Sequence, residues 1–400
     1  MKNQKLQVAL VLVLTATALC GLLMWDPFRH LRDVFAKSGP VKEDALIHHL
    51  VADPSTQETS NGREPLSNLR SLEANWCGVA KPNRFILTGN SQTLTILLAP
   101  GEARPADPQR TYPDLLIDRL NSAGIGIHGY RLSAPNISYM EALWYLHFLL
   151  VHPCLVPGEF IVQLNFETFR KTSIREGMLE LLDDETFLKV VEREAQSDAP
   201  YASTFQQALD RYKSRNAKEK GVDSGAAATG QTGLVEAGAI GGLIETEIRS
   251  AVDLVPLLKS RGEMKAELLD FLYLARVNLL GITPTTKRSL GGGTLTANIG
   301  SLTSIGELSK RNGIRLVFFN APQNPNVPLY RTASDREQYL GIVNKLSRES
   351  ADAYFDFENI IPGDMWGVWI DGPDPIHFGL RAHHLLANAM FEAGVVQGSN

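Results

Sequence analysis

The chain has 400 residues, of which 44% are hydrophobic and 21% are charged, and its formal net charge is −5. This length suits one large domain with an insertion, or two domains. The acidic balance argues against a broad nucleic-acid-binding surface, because contacts to phosphates need clustered lysines and arginines. We find no zinc-like spacing of cysteines and histidines, no Walker loop and no dinucleotide-binding glycine motif, and we expect no metal or organic cofactor.

An uncharged, apolar segment covers residues 8–25. It is long enough for one membrane-spanning helix, and Lys2 and Lys5 before it favour an orientation with the amino terminus inside. A cleaved signal peptide is the alternative, because Ala16-Thr17-Ala18 has the form of a cleavage site. We favour a signal-anchor over residues 1–25, since the apolar run continues past this tripeptide. Both interpretations place the rest of the chain outside the cytoplasm, in the cell envelope or periplasm.

Two of the three cysteines, Cys77 and Cys154, lie beyond this segment. In an oxidising compartment they could pair as one disulfide, and two buried free thiols are the alternative. Residues 26–80 are interpreted as a linker and N-terminal extension, because residues 53–68 are polar and contain prolines and a glycine.

Strands and helices alternate in two parts of the chain, residues 81–169 and residues 301–400. The hydrophobic patterns predict strands at 84–88, 126–132, 160–164, 314–319 and 353–357. They predict helices at 91–98, 111–124, 137–152, 300–311, 334–349 and 380–392. This alternation implies an α/β fold, a flavodoxin-like three-layer sandwich with a mostly parallel five-stranded sheet.

Residues 170–300 interrupt the alternation as a helical insertion. Its predicted parts are helical stretches at 173–196, 202–219 and 244–280, a Gly/Ala-rich segment at 221–242 and a hinge at the glycine triplet 291–293. An insertion of this length could cover a site as a lid.

The candidate chemistry lies at the ends of predicted strands. Ser91 follows the first strand and Gly89, which permits a sharp turn, and far downstream Asp374 precedes His377 by three residues. A serine hydroxyl is a weak nucleophile until a base takes its proton, and His377 is the candidate base. Asp374 would orient its imidazole, and Asp371 is the rival acid.

Acyl transfer also needs hydrogen-bond donors for the oxyanion of the tetrahedral intermediate. We predict three of them: the N–H of Ser91, a backbone N–H near Asn136 and the side-chain amide of Asn165. All three positions follow strands, and ligands bind parallel sheets beyond the carboxyl ends of the strands. We therefore expect them at one rim, together with His377.

This arrangement resembles the SGNH/GDSL hydrolase superfamily over roughly residues 84–165 and 314–392. The Gly-Asp-Ser block of that family appears as Gly89-Asn90-Ser91, and its Asp-x-x-His block as residues 374–377.

Two further blocks are matched more loosely. Of the Gly-x-Asn-Asp block only the Asn is kept, as Asn165. In the other block, Asn136 stands in place of the glycine that donates an N–H. The closest likeness is to membrane-anchored bacterial members that handle acyl groups on cell-envelope polymers.

The resemblance implies an exported, membrane-tethered, serine-dependent esterase that acts on acyl or acetyl esters, with carbohydrate esters among the candidates. One alternative is an O-acyltransferase that uses the same three residues on an envelope polysaccharide. Another is a non-catalytic SGNH-like protein that binds a polymer or a protein partner.

The remaining histidines and two tryptophans have simpler interpretations. We expect His128 in the core, His147 in a structural role, and His383 and His384 at the surface or in packing. Trp366 and Trp369 are expected as core aromatics, and stacking on a sugar ring is the alternative.

Overall fold

The computed structural model of the chain describes residues 66–103, 110–134, 137–171, 173–219, 289–327, 331–369 and 372–397. Several predictions fall outside these residues: the membrane segment 1–25, Asn136, Asp371, and the segments 221–242 and 244–280. Within the described ranges no helix is long and apolar enough to cross a membrane.

Five parallel strands form the central sheet, in the order β2-β1-β3-β4-β5. They are β1 (Arg84–Gly89), β2 (His128–Ser133), β3 (Glu159–Leu164), β4 (Arg315–Asn320) and β5 (Ala353–Asp356). This is the strand order of flavodoxin-like doubly wound folds. The prediction of a mostly parallel five-stranded sheet is confirmed.

Eight helices are described: α1 (Leu66–Trp76), α2 (Tyr112–Ser122), α3 (Tyr139–Val151), α4 (Glu185–Ala195), α5 (Ala202–Glu219), α6 (Gly292–Arg311), α7 (Ala333–Glu349) and α8 (Leu380–Glu392). Successive strand residues point to opposite faces of a sheet. Accordingly, Ile86 belongs to a core cluster with α3, α6 and α7, whereas Phe85 and Leu87 belong to a second cluster with α2 and α8. Helices thus cover both faces of the sheet.

Strands β1 and β3 lie at the middle of the sheet, and every residue of both is buried. A strand that is covered on both faces needs a nearly continuous apolar run, which is how these two strands could be recognised from the sequence.

The start of α3 is fixed by charged and polar side chains. Ser138 and Glu141 form a capping box, in which each side chain accepts a hydrogen bond from the other residue's backbone N–H. The buried Glu141 carboxylate also accepts two bonds from the Arg175 guanidinium, each of 2.8 Å. These contacts hold the chain that enters α3 from the end of β2.

The described part of the predicted insertion is helical and belongs to the core. Residues Glu176–Asp183 form a 3₁₀ helix, followed by α4 and α5. The rings of Phe187 and Phe205 contact Trp144 of α3 edge to face, at centroid distances of 5.3 and 5.0 Å. The helices 185–219 therefore extend the hydrophobic layer on one face of the sheet.

One predicted element is wrong close to the site. The helix expected at 91–98 is a single 3₁₀ turn, Ser91–Thr93, because the hydroxyl of Thr93 and the side chain of Asn90 bond to the backbone there. The structure also has two strands that the sequence patterns did not predict, β6 (Trp366–Trp369) and, antiparallel to it, β7 (Gly372–Phe378).

The hinge predicted at the glycine triplet is also wrong. Gly291 is the N-cap of α6, and Gly292 has a φ of +65°, a conformation that favours glycine. The low helix propensity of glycine hides this start in the sequence. Inside the helix, the buried Asn298 accepts the N–H of Tyr139 and donates to the Phe169 carbonyl.

The histidines differ from expectation at one position. His128 is exposed, because it opens the edge strand β2 rather than lying in its middle. His147 is buried, as expected, and His384 is exposed. His383 is fully buried and packs in the core. The ring of Trp366 is buried as well, which fits a core aromatic.

Cys77 and Cys154 form a disulfide across a sequence separation of 77 residues. The sequence left open a disulfide or two buried free thiols, and the structure has the disulfide. The bond ties the end of α1 to the chain that follows α3.

Replacement of both cysteines, Cys77→Ala with Cys154→Ala, should lower the free energy of unfolding by about 2–4 kcal/mol, because the disulfide constrains the unfolded chain. Urea unfolding of the parent with and without reductant measures this. The double variant should not respond to reductant, and equal stability of parent and variant would contradict the prediction.

The unfolding free energy should fall as the pH drops from about 6.5 towards 3, because of His383. Burial lowers the pKa of His383 to about 3, against a smaller opposing effect of its hydrogen bond to the Thr95 carbonyl. In this pH range the unfolded state binds a proton that the folded state does not bind. The unfolding free energy therefore falls by about 1.4 kcal/mol for each pH unit. In urea titrations at pH 7, 6 and 5, the unfolding free energy of His383→Gln should therefore fall less steeply with decreasing pH, by about 1.4 kcal/mol per pH unit. The exposed His384→Gln is the matched control, and parallel curves for parent and His383→Gln would contradict this account.

Candidate active site

Ser91 is placed by a tight turn at the carboxyl end of β1. The side chain of Asn90 accepts the N–H of Gln92 at 3.0 Å, and the Thr93 hydroxyl donates to the Asn90 carbonyl at 2.6 Å. These bonds fold the chain back immediately after the strand. Ser91 is left at the start of a single 3₁₀ turn and partly exposed.

Gly89 is required by close approach rather than by its backbone angles. A Cβ at this position would lie 2.4 Å from Thr93 Cγ2 and 2.6 Å from Gln163 Oε1. The absence of a side chain therefore lets the turn and β3 come together beside Ser91.

His377 and Asp374 lie on β7, a strand that the sequence patterns did not predict. The Nε2 atom of His377 is 2.8 Å from Ser91 Oγ, and its Nδ1 atom is 3.0 Å from Asp374 Oδ2. With Nδ1–H donating to the carboxylate, Nε2 is free to accept from the serine hydroxyl. The structure thus brings these three predicted residues together in one hydrogen-bonded chain.

The Asp374 carboxylate is held in its ionised form. Burial by itself would raise the pKa of Asp374, but the charge and hydrogen bond of His377 lower it, as do the N–H groups of Ile376 and His377, which donate to Oδ1 at 2.6 and 2.7 Å. The result is a pKa below the ordinary value for aspartate. An ionised carboxylate at this place stabilises a positive charge on the imidazole.

Asn165 follows β3 and is oriented from two sides. Its N–H donates to the Tyr139 hydroxyl at 2.9 Å, and its Oδ1 accepts the N–H of Glu167 at 2.8 Å. The Nδ2 donor of this buried side chain has no acceptor among the described residues. It is available for a ligand.

Asn165 and Ser91 follow the carboxyl ends of two adjacent strands. Thr88 of β1 pairs with Val162 of β3, and each of the two site residues lies three positions further along its chain. The N–H of Ser91 likewise has no acceptor within the described ranges. The structure therefore places two of the three predicted oxyanion donors after the carboxyl ends of adjacent strands, whereas Asn136 is not described.

Sequence reasoning missed two side chains that bond to the backbone of β7 next to the site. Asn324, in the loop after β4, donates to the Asp374 carbonyl at 2.8 Å, and Gln92 donates to the Ile376 carbonyl at 2.7 Å. Asn324 lies in a stretch rich in proline and asparagine, a composition that predicts a loop but assigns no role to this residue. Nothing in the sequence marked Gln92, because its partners lie 230 and 284 positions away.

The geometry suits acyl transfer to a hydroxyl. A serine oxygen contacts an imidazole that is backed by an ionised carboxylate. Two donors without an acceptor in the described ranges, the backbone N–H of Ser91 and Nδ2 of Asn165, follow the ends of the adjacent strands β1 and β3. Among the described residues no group of three or more His, Cys, Asp or Glu side chains could hold a metal ion.

No protein-family model and no curated protein sequence matches the chain. Among solved structures, it is similar to Axe2, an acetylxylan esterase from Geobacillus stearothermophilus, at 11% identity and a TM-score of 0.36, with 80% of this chain and 97% of that chain covered. It is also similar to LAE5, an α/β hydrolase from the metagenome of Lake Arreo, Spain, at 10% identity and a TM-score of 0.35, with 80% and 98% covered. A third is a Bacteroides fragilis protein with a proposed acylhydrolase assignment, at 11% identity and a TM-score of 0.31, with 83% and 97% covered. Because these scores are low, the function proposed below depends on the side chains of the site.

Gly89→Ala should lower the free energy of unfolding by about 1–3 kcal/mol, because the added methyl overlaps Thr93 and the Gln163 amide. Gly126→Ala is the matched control, since a Cβ at Gly126 meets no atom within 4 Å. Urea unfolding of the two variants compares them, and a Gly89→Ala variant as stable as Gly126→Ala would contradict the close packing described above.

Proposed function

We propose that the chain is a serine-dependent esterase of the SGNH type. The observation that carries this proposal is the chain of contacts from Ser91 Oγ through the His377 ring to the Asp374 carboxylate. In the first step Ser91 Oγ attacks the carbonyl carbon of an ester while His377 Nε2 takes the hydroxyl proton. Asp374 stabilises the imidazolium that forms.

The negative charge of the tetrahedral intermediate develops on the former carbonyl oxygen. The N–H of Ser91 and Nδ2 of Asn165 are the donors for it, and a third from near Asn136 is part of the proposal. Loss of one such donor typically costs about a hundredfold or more in turnover. The intermediate collapses when His377 returns the proton to the leaving alkoxide, which departs as an alcohol and leaves an acyl-serine.

The second half of the reaction runs through the same atoms. His377 takes a proton from water, the hydroxide attacks the acyl-serine, and the acid product leaves as Ser91 regains its proton. If a sugar hydroxyl takes the place of water, the same steps transfer the acyl group, and the protein is an O-acyltransferase. Both outcomes need the same three residues.

The substrate class is proposed as short acyl esters, acetyl esters above all, with acetylated carbohydrates among the candidates. The basis is the resemblance of the Gly-Asn-Ser and Asp-x-x-His blocks to the SGNH/GDSL family.

The protein is proposed to work outside the cytoplasm, tethered by residues 8–25. The Cys77–Cys154 disulfide supports export, because disulfides persist mainly in oxidising compartments. The tether itself is proposed from the apolar sequence of that segment and its flanking lysines.

Ser91→Ala and His377→Ala should each lower the hydrolysis of p-nitrophenyl acetate by about a thousandfold or more, because members of such a triad act as a unit. The parent chain should turn the ester over and react with a serine-directed phosphonate at Ser91. Ser197→Ala and His128→Ala are matched controls, since both residues are exposed.

A parent that reacts with the phosphonate but releases acyl groups only when a sugar is supplied would be the transferase. If the parent neither hydrolyses p-nitrophenyl acetate nor reacts with the phosphonate, the esterase proposal is wrong and a binding protein is favoured.

A further inference from the structure

Gln92, the residue directly after Ser91, is almost completely buried, with 1% of its surface exposed. Its Nε2 donates to two carbonyl oxygens, that of Ile376 at 2.7 Å and that of Pro322 at 3.0 Å. Both amide hydrogens are therefore used. The two carbonyls also fix the orientation of the Gln92 amide, because a flipped amide would place its Oε1 against both carbonyl oxygens.

Gln163 of β3 completes the contact from the other side and is 2% exposed. Its Nε2 donates to Gln92 Oε1 at 2.8 Å, and its Oε1 accepts the N–H of Asn90 at 2.9 Å. We call these two side chains the glutamine pair. Gly89 leaves the space that the Gln163 amide occupies.

The glutamine pair connects the chain on both sides of the Ser91–His377 contact. Asn90 and Gln92 are the two neighbours of Ser91; the N–H of Asn90 bonds to the pair, and Gln92 is part of it. Ile376 is the residue before His377, and its carbonyl bonds to the same pair. The glutamine pair is thus bonded to the backbone beside Ser91, at Asn90, and to the backbone beside His377, at Ile376.

Stability alone does not explain two amides here. Burying amides is costly unless their hydrogen bonds are made, and apolar side chains of similar size would fill the same space. Buried polar networks of this kind fix one arrangement, because every other arrangement leaves a polar group unpaired. The arrangement fixed here is the position of β7 relative to the turn after β1. These two elements are not paired strands, and the one backbone hydrogen bond described between β7 and the chain after that turn runs from the Leu97 N–H to the Phe378 carbonyl at 3.2 Å.

We infer that Gln92 and Gln163 are positioning residues that set the distance between Ser91 Oγ and His377 Nε2. The inference rests on the proposed function and deepens it. The pair touches neither of the reacting atoms and acts through Asn90 and Ile376. A displacement of about 1 Å in such a contact can cost a hundredfold in rate.

Gln92→Ala should therefore lower kcat on p-nitrophenyl acetate about 10- to 100-fold and leave KM within about twofold. Active sites are counted by phosphonate titration, so that kcat refers to folded protein alone. Gln92→Met, which keeps the volume and loses the donors, should behave in the same way. A kcat per titrated site equal to that of the parent in both variants would overturn the inference.

Gln163→Glu gives a test by pH that a purely structural role would not reproduce. When the carboxyl group that this variant introduces is protonated, it keeps a donor towards Gln92, whereas the ionised carboxylate has none. Burial raises the pKa of carboxyl groups, so the donor should persist at mildly acidic pH. The ratio of variant to parent kcat should be near one at about pH 5 and roughly tenfold or more lower at about pH 8. A ratio that is constant with pH would count against the positioning role.

Glu159→Gln is the matched control at the opposite end of β3. Glu159 is similarly buried, at 4% exposure, and its Oε2 lies 2.6 Å from Arg315 Nη1. Loss of this ion pair should lower the unfolding temperature without changing kcat per titrated site. A fall in kcat equal to that of Gln92→Ala would assign the effect to general destabilisation.

A measurement that does not depend on catalytic activity separates this inference from the proposed function. The ¹⁵N chemical shift of His377 Nε2 reports whether the serine hydroxyl donates to it. Gln92→Ala should move that shift towards its value in Ser91→Ala, and Glu159→Gln should leave it in place. If the parent hydrolyses no ester, the proposed function fails while this shift still decides the positioning role. An unmoved shift in Gln92→Ala overturns the inference, whatever the activity.

Discussion

The contact of 2.8 Å between Ser91 Oγ and His377 Nε2 is the constraint on which the rest of the site depends, and it joins residues 286 positions apart. Ser91 belongs to a turn after a central strand, whereas His377 belongs to a hairpin that lies outside the central sheet. No ladder of sheet hydrogen bonds sets their separation. Side-chain amides from Gln92 and Asn324 connect the hairpin to the loops that follow the sheet strands, together with a backbone hydrogen bond from Leu97 N–H to the Phe378 carbonyl.

The order of the strands explains where the site lies. In a sheet of order 2-1-3-4-5 the chain changes direction between β1 and β3, and the connections after these strands leave on opposite faces. In folds of this order, ligands bind beyond the carboxyl ends of the strands at that point. Ser91 follows β1 and Asn165 follows β3, so both residues lie after the strands where the chain changes direction.

The Asp374 carboxylate is buried, and both of its oxygens accept hydrogen bonds. Asp374 lies among groups that stabilise its charge, and its carboxylate accepts three hydrogen bonds, from the His377 ring and from two backbone N–H groups. The donors of the site that remain free among the described residues are the N–H of Ser91 and Nδ2 of Asn165. Under the proposed function, these two unused donors are the ones that would bind a developing oxyanion.

The sequence by itself determined the five strands, their parallel arrangement, and helices such as α8, because apolar periodicity and capping residues are local properties. It also located Ser91, Asn165, Asp374 and His377, since each stands at a strand end or in a short motif. Only the tertiary structure decided that the Asp-x-x-His segment is a strand and that Gln92 and Gln163 meet. Those features depend on hydrogen bonds between distant parts of the chain, and a glutamine that is destined to be buried carries no local pattern to distinguish it from an exposed one.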